Sequence, residues 1–136
     1  MPLLREALAP LVATARDVAQ SVTARHADAD DRDARWPAET MRALADAGLL
    51  GLTAPRDVGG LDAGMQGLVA VSETLAHESA SAGLCFGMHC VGTAVIAAKA
   101  NDAQRECQDT VGELARSSRR RWVSLPRGAA CRCSRA

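Results

Sequence analysis

Ser81–Ala100, SAGLCFGMHCVGTAVIAAKA, is the stretch whose reading decides the fold. Between Ala82 and Ala98 only His89 and Thr93 carry polar side chains, with the thiols counted as apolar. Leu84, Met88, Val91, Val95 and Ala98 recur at steps of three or four, and Cys85, Gly92 and Ile96 fill the flanks. The spacing predicts a helix that is apolar nearly all the way round, so it is buried on several sides or crosses a membrane. Spanning takes about 18 unbroken apolar residues. This stretch sits at that margin, carries His89 near its middle and draws its bulk from Ala and Gly. It reads as the central helix of a soluble helical domain, with no membrane span.

At 136 residues the chain has the size of one domain. Its aromatic residues are only Trp36, Phe86 and Trp122, so Ala, Leu and Val must do the packing, which favours close-packed helices over a sheet. The formal net charge of zero hides two unlike pieces. Residues 1–106 hold nine Lys and Arg against fourteen Asp and Glu, whereas residues 107–136 hold seven Arg, no Lys and two acids. The boundary near Cys107 therefore separates an acidic body from an Arg/Cys-rich tail, read as disordered. Arg5 and Glu6 interrupt any apolar run after Met1, so no secretory signal is visible. Five cysteines, two of them inside the apolar helix, read as reduced thiols in a cytoplasmic protein.

Outward from the central stretch, the pattern predicts an all-α fold of about five helices. Leu4, Leu8, Leu11, Ala15, Val18 and Val22 step by three and four as one amphipathic helix, with Pro10 kinking it or marking its start. Arg25–Arg35, RHADADDRDAR, reads as a solvated connector. Trp36-Pro37 opens a second helix with Pro37 at its first position, a buried face of Met41, Leu44 and Ala45, and Gly48 as a left-handed cap. Leu49–Leu61 is an ordered non-helical crossing with a Gly59-Gly60 turn. Asp62 caps a third helix whose inner face is Met65, Leu68, Val69, Ser72, Leu75 and Ala76. The central helix follows a Ser79–Ser81 junction, and Asn101-Asp102 caps a fifth helix from Ala103.

No catalytic constellation emerges from the residues. Glu73 and His77, one turn apart, have the spacing of an acid–base pair, and an exposed helical ion pair explains it better. Cys85, His89 and Cys90 offer metal ligands on one apolar helix without a fourth at a standard spacing, so a satisfied core histidine is preferred. Asp28, Asp30, Asp31 and Asp33 lack the turn glycine and distal glutamate of a calcium loop. Gly59-Gly60 lacks the residues of a phosphate loop, leaving Arg56 and Asp57 as turn residues. In the tail, Arg119-Arg120-Arg121-Trp122 has the look of a nucleic-acid contact, and Cys131-x-Cys133 of half a metal knuckle. A tail without either function is preferred, so neither metal nor nucleic acid is expected.

The stretch WPAETMRALADAGLLGLTAPRDVGGLDAG from Trp36, the following Glu73-bearing helix, GMHCVGTAVIAAKAND and AQRE together resemble the acyl-CoA dehydrogenase N-terminal domain. The resemblance covers roughly residues 3–106. It implies an all-helical domain that, in the family, precedes a β-barrel and a C-terminal helical bundle with FAD between those two. The family reaction is α,β-dehydrogenation of acyl-CoA thioesters with a glutamate base, in homo-oligomers. Acyl-CoA oxidases and flavin-dependent monooxygenases share this N-terminal fold. The family's central helix walls the acyl-chain pocket, and the matching face here is Leu84, Gly87, Met88 and Val91, at i, i+3, i+4 and i+7. Small Gly87 leaves room and flexible Met88 shapes the end.

The family's Ser/Thr-Glu-Pro-Gly flavin-contact segment is at best echoed by Val123-Ser124-Leu125-Pro126-Arg127-Gly128, whose acid is replaced by Leu. Residues 1–106 thus read as the family domain, and 107–136 as a tail out of register with it, the switch that a frameshift in GC-rich DNA would produce. The expectation is an inactive chain that retains no FAD, or else a free-standing helical interaction module.

Overall fold

The computed structural model describes residues 2–99, the side chains of residues 2–5 and 58 excepted. The expected fifth helix from Ala103, the Arg/Cys-rich tail and the Val123–Gly128 segment lie outside the described residues. Five α-helical segments and no strand occur among those described.

Helix α1 (Pro2–Val18) runs through a π-helical turn (Ala19–Thr23) directly into α2 (Ala24–Arg32). Pro10 lies inside α1 and does not start it. The inner row begins as the spacing predicts, with Ala15 and Val18 buried. The π turn adds a residue to one loop of the helix and rotates the residues beyond it. Ala19 and Thr23 therefore turn inward, and Val22, expected on the buried row, is only half-buried. The Thr23 hydroxyl accepts a 3.2 Å hydrogen bond from Thr40, which satisfies a polar group at the first interhelical contact.

The expected connector at Arg25–Arg35 is instead mostly helix. Its alanines are strong helix formers, and charged side chains are compatible with a helix that buries nothing. Indeed α2 has no buried residue. Its end is tied by Arg35, 3.0 Å from Asp33 and 3.9 Å from Asp30, and by Ser81, which donates to Asp31 at 3.0 Å.

Helix α3 (Ala38–Asp46) starts one residue later than expected, with Pro37 as the flanking cap. Leu44 and Ala45 are buried as predicted and joined by Thr40, whereas Met41, expected with them, is only half-buried against the core. Gly48 adopts φ +74°, the left-handed conformation that ends the helix without a Cβ clash. The crossing then makes two 3-10 turns, Leu49–Gly51 and Arg56–Val58, with Leu49, Leu52 and Ala54 buried. Its backbone closes on itself: Leu61 donates to Gly51, Asp62 to Ala54 and Ala63 to Leu52, at 2.9–3.0 Å. A Cβ at Gly60 would sit 2.0 Å from the Ala54 carbonyl oxygen, so only glycine fits that closure.

Helix α4 (Gly64–Ala76) is flanked by Ala63, not by the expected Asp62 cap. Its buried row is Gly67, Leu68, Val71 and Leu75. Met65, Val69 and Ala76, expected inside, are exposed. They belong, with Ser72, to the neighbouring row, and only the Ser72–Ala76 end of that row meets the next helix. The Ser79 hydroxyl then accepts from the Ala82 N–H at 3.2 Å and starts α5 (Ala80–Lys99).

Helix α5 differs most from expectation. One stripe, Ala82, Gly83, Phe86 and Cys90, enters the core, and none of its described residues beyond Cys90 is buried. Phe86 is the largest fully buried side chain and packs with Ala15, Val18, Leu44, Leu49, Leu52, Val71 and Leu75. The antiparallel α4–α5 contact is close because Gly83 has no side chain: a Cβ there would lie 2.8 Å from Ala76 Cβ and 2.9 Å from the Ser72 carbonyl oxygen. By length and apolarity α5 could cross a bilayer, with mean hydropathy 1.5, yet its inner stripe is built into this helical core.

Candidate functional site

The exposed side of α5 carries the four residues singled out in the sequence. Leu84 is 67%, Met88 64% and Val91 42% exposed, and Gly87 sits half-buried at the seam with α4. Val95 extends the row along α5, Ile96 is exposed on its flank, and Met65 and Val69 add apolar surface from α4. The result is an apolar face on two antiparallel helices. A Cβ at Gly87 would come to an ordinary 3.5 Å from Ser72 Oγ, so the gap above the glycine is real space and not a packing requirement. Ser72 Oγ lies beneath it, buried and without a hydrogen-bond partner among the described residues.

The polar groups of α5 are engaged in structure. His89 Nε2 lies 3.0 Å from the Leu50 carbonyl oxygen, which fixes the proton on Nε2. Thr53 donates to the Cys90 carbonyl at 2.7 Å, and Thr93 to the His89 carbonyl at 2.9 Å. The bonds from Thr53 and His89 pin the 49–63 crossing onto α5. Burial pushes the Cys90 thiol up to about 12, against a weaker opposing effect of its hydrogen bond with Thr53. Cys85 is half-buried and is also raised by burial. Both cysteines are free thiols in their protonated form at neutral pH.

Cys85, His89 and Cys90 do not converge: among the described residues no three His, Cys, Asp or Glu side chains are placed to hold a metal ion. Glu73 and His77 share only a backbone hydrogen bond, His77 N to Glu73 O at 3.1 Å, so the expected ion pair is not formed. The acidic residues of the expected calcium loop go their separate ways, Asp30 and Asp33 to Arg35 and Asp31 to Ser81.

A second concavity, of about 350 Å³, was not visible in the sequence. Trp36, Met41, Arg42, Ala45, Leu50 and His89 line it, from three separate segments. Its one sequence signal is the row Ala38, Met41, Arg42 and Ala45, at i, i+3, i+4 and i+7 on α3, behind Trp36.

Residues 6–108 match the family model described as acyl-CoA dehydrogenase, N-terminal domain. The chain belongs to the acyl-CoA dehydrogenase family. No curated protein and no solved structure matched it. The all-helical architecture agrees with membership, and the family match extends past the described residues to 108.

Proposed function

We propose that the chain is the N-terminal helical part of a flavoprotein that carries out FAD-dependent α,β-dehydrogenation of acyl-CoA thioesters. Leu84, Gly87, Met88 and Val91 act in it as the wall of the acyl-chain pocket. The observation that carries this reading is the sidedness of α5: the four residues share one apolar face left open by the core, with room for a methyl group at Gly87. An acyl chain asks nothing of such a wall but shape and apolarity.

FAD itself does not fit the described residues of this face. A dinucleotide needs donors for its pyrophosphate and ring edges; Leu84, Gly87, Met88 and Val91 supply none, and the Ser72 hydroxyl beneath Gly87 is buried. The chain alone is therefore proposed to retain no FAD and to be inactive, with completion as a cytoplasmic homo-oligomer dependent on domains of the kinds the family supplies. The purified chain should show no flavin absorbance and no dye reduction with acyl-CoA, and turnover would overturn this. The wall role is tested by fusing residues 1–99 to the barrel and C-terminal domains of a complete family member. Gly87→Leu should then shorten the longest acyl chain accepted, and an unchanged chain-length profile would refute the assignment.

The open face also supports a second reading, a helical module that docks a partner without catalysis. Exposed contiguous apolar surface of this kind marks interaction sites. Light scattering separates the two: a defined oligomer favours the module, and ill-defined association favours an incomplete enzyme. Acyl-CoA oxidase or flavin-dependent monooxygenase chemistry is the alternative within the same fold, to be decided by the product formed in the fusion.

A further inference from the structure

We propose that the cleft between α3 and α5 binds a small aromatic carboxylate, independently of the acyl wall. The two sites are separate. On a helix of about 3.6 residues per turn, His89 points roughly 130° away from the row of Leu84, Met88 and Val91. The cleft has a volume of about 350 Å³, at the lower end of the roughly 300–1,000 Å³ typical of small-molecule sites.

Its lining sets the chemistry of the occupant. Met41, Ala45 and Leu50 give it apolar lining, and Trp36 lines it too, with 59% of its surface exposed. A large exposed indole beside an apolar lining favours a flat apolar body that can stack on it. His89 is a fixed wall, because its Nε2–H is held by the Leu50 carbonyl 3.0 Å away. The charged group is Arg42. Its Nη1 lies 2.7 Å from both carboxylate oxygens of Glu39, and no other hydrogen bond or ion pair among the described residues engages the guanidinium. Nε and Nη2 therefore remain as an unoccupied edge of the fork, the geometry that receives a carboxylate through two parallel hydrogen bonds. Neither an amide nor an alcohol offers two equivalent charged acceptors. Glu39 acts as an internal competitor, and its removal should strengthen the site.

The probe is phenylacetate, titrated into the full chain carrying Trp122→Phe, so that Trp36 is the sole fluorophore. Saturable quenching is expected. Replacement of phenylacetate by phenylacetamide, or Arg42→Gln, should weaken binding about tenfold or more, the worth of a charge-assisted hydrogen bond at a partly exposed site. Glu39→Gln should tighten binding in the same assay. Circular dichroism of each variant checks that α3 remains folded. Absence of saturation would overturn the proposal. So would binding that is indifferent to the carboxylate, to Arg42→Gln and to Glu39→Gln, since that is the behaviour of an unspecific apolar groove. The acyl-wall assignment is untouched by either result, because none of these residues lies on that face.

Discussion

Three glycines on one helix provide a graded test of how α5 is packed. Ala at a helix interior position gains about 0.5–1 kcal/mol over Gly, because glycine loses more backbone freedom on folding. At Gly92 an added Cβ would meet nothing within 4 Å, so Gly92→Ala should realise that gain in full. At Gly87 the nearest atom would be Ser72 Oγ at 3.5 Å, an ordinary contact, and Gly87→Ala should stabilise almost as much. At Gly83 the same methyl would lie 2.8 Å from Ala76 Cβ, 2.9 Å from the Ser72 carbonyl oxygen and 3.1 Å from Ala76 Cα. Two of these are main-chain atoms of α4, which cannot swing aside as a side chain would. Relief requires the helices to separate, and overpacking of this kind costs about 1–3 kcal/mol. After the propensity gain, Gly83→Ala should be destabilising by roughly 0.5–2 kcal/mol, and a shift of about 4–8 °C per kcal/mol is expected for a domain of this size. Urea unfolding followed by circular dichroism measures all three variants. The close approach of α4 and α5 would be refuted by a Gly83→Ala protein as stable as Gly92→Ala with an unchanged m-value.

Three further outcomes come from the same packing. Ser72→Ala should stabilise by about 1 kcal/mol, since it removes a buried hydroxyl that has no partner among the described residues and improves helix propensity; a thermal melt below that of the parent would mean the hydroxyl is satisfied in solution. The raised Cys90 thiol makes stability fall with pH: the unfolded thiol ionises near its ordinary 9.0 while the folded one holds its proton to about 12, so stability is lost across that interval. Cys90→Ala should flatten that stretch of the pH profile, and an unaltered slope there would assign it to another group. Met88→Glu, at a residue 64% exposed, should change monomer stability by no more than about 0.5 kcal/mol while reducing self-association in light scattering; unfolding would show that the residue belongs to the core.

Much of the fold was legible because it is written locally. Gly48 at φ +74°, the Gly59-Gly60 closure and the Ala15–Val18 row are fixed by residues next to them in sequence. The misread parts needed information from elsewhere in the chain. Charge in Arg25–Arg35 signalled solvation, but solvation is compatible with a helix that buries nothing. The exchange of Val22 for Thr23 comes from a π turn, which a fixed 3.6-residue period cannot register. On α4 two adjacent rows are apolar, and only the shared core of several segments shows that Leu68, Val71 and Leu75 are inside and Met65 and Val69 outside. The acyl-wall residues were legible as one row of α5, whereas the Trp36–Arg42–His89 cleft exists only after three distant segments meet.

The sidedness of α5 bears on what kind of protein the domain is built for. Core burial explains Ala82, Gly83, Phe86 and Cys90, but it does not explain Leu84, Met88, Val91 and Val95 on the open face. A surface helix with a single buried stripe normally carries polar residues opposite it. Apolar side chains on both sides belong to a helix with two covers, of which the described residues supply one. Both proposed readings require the second cover, and they differ in its identity: an acyl chain framed by further domains of the enzyme, or an independent partner. Gly87 favours the first. A partner surface gains contact area from a filled position there, and a Cβ would be tolerated, since its nearest neighbour is at 3.5 Å. A gap kept open over the seam of two helices is better suited to the passage of a flexible chain.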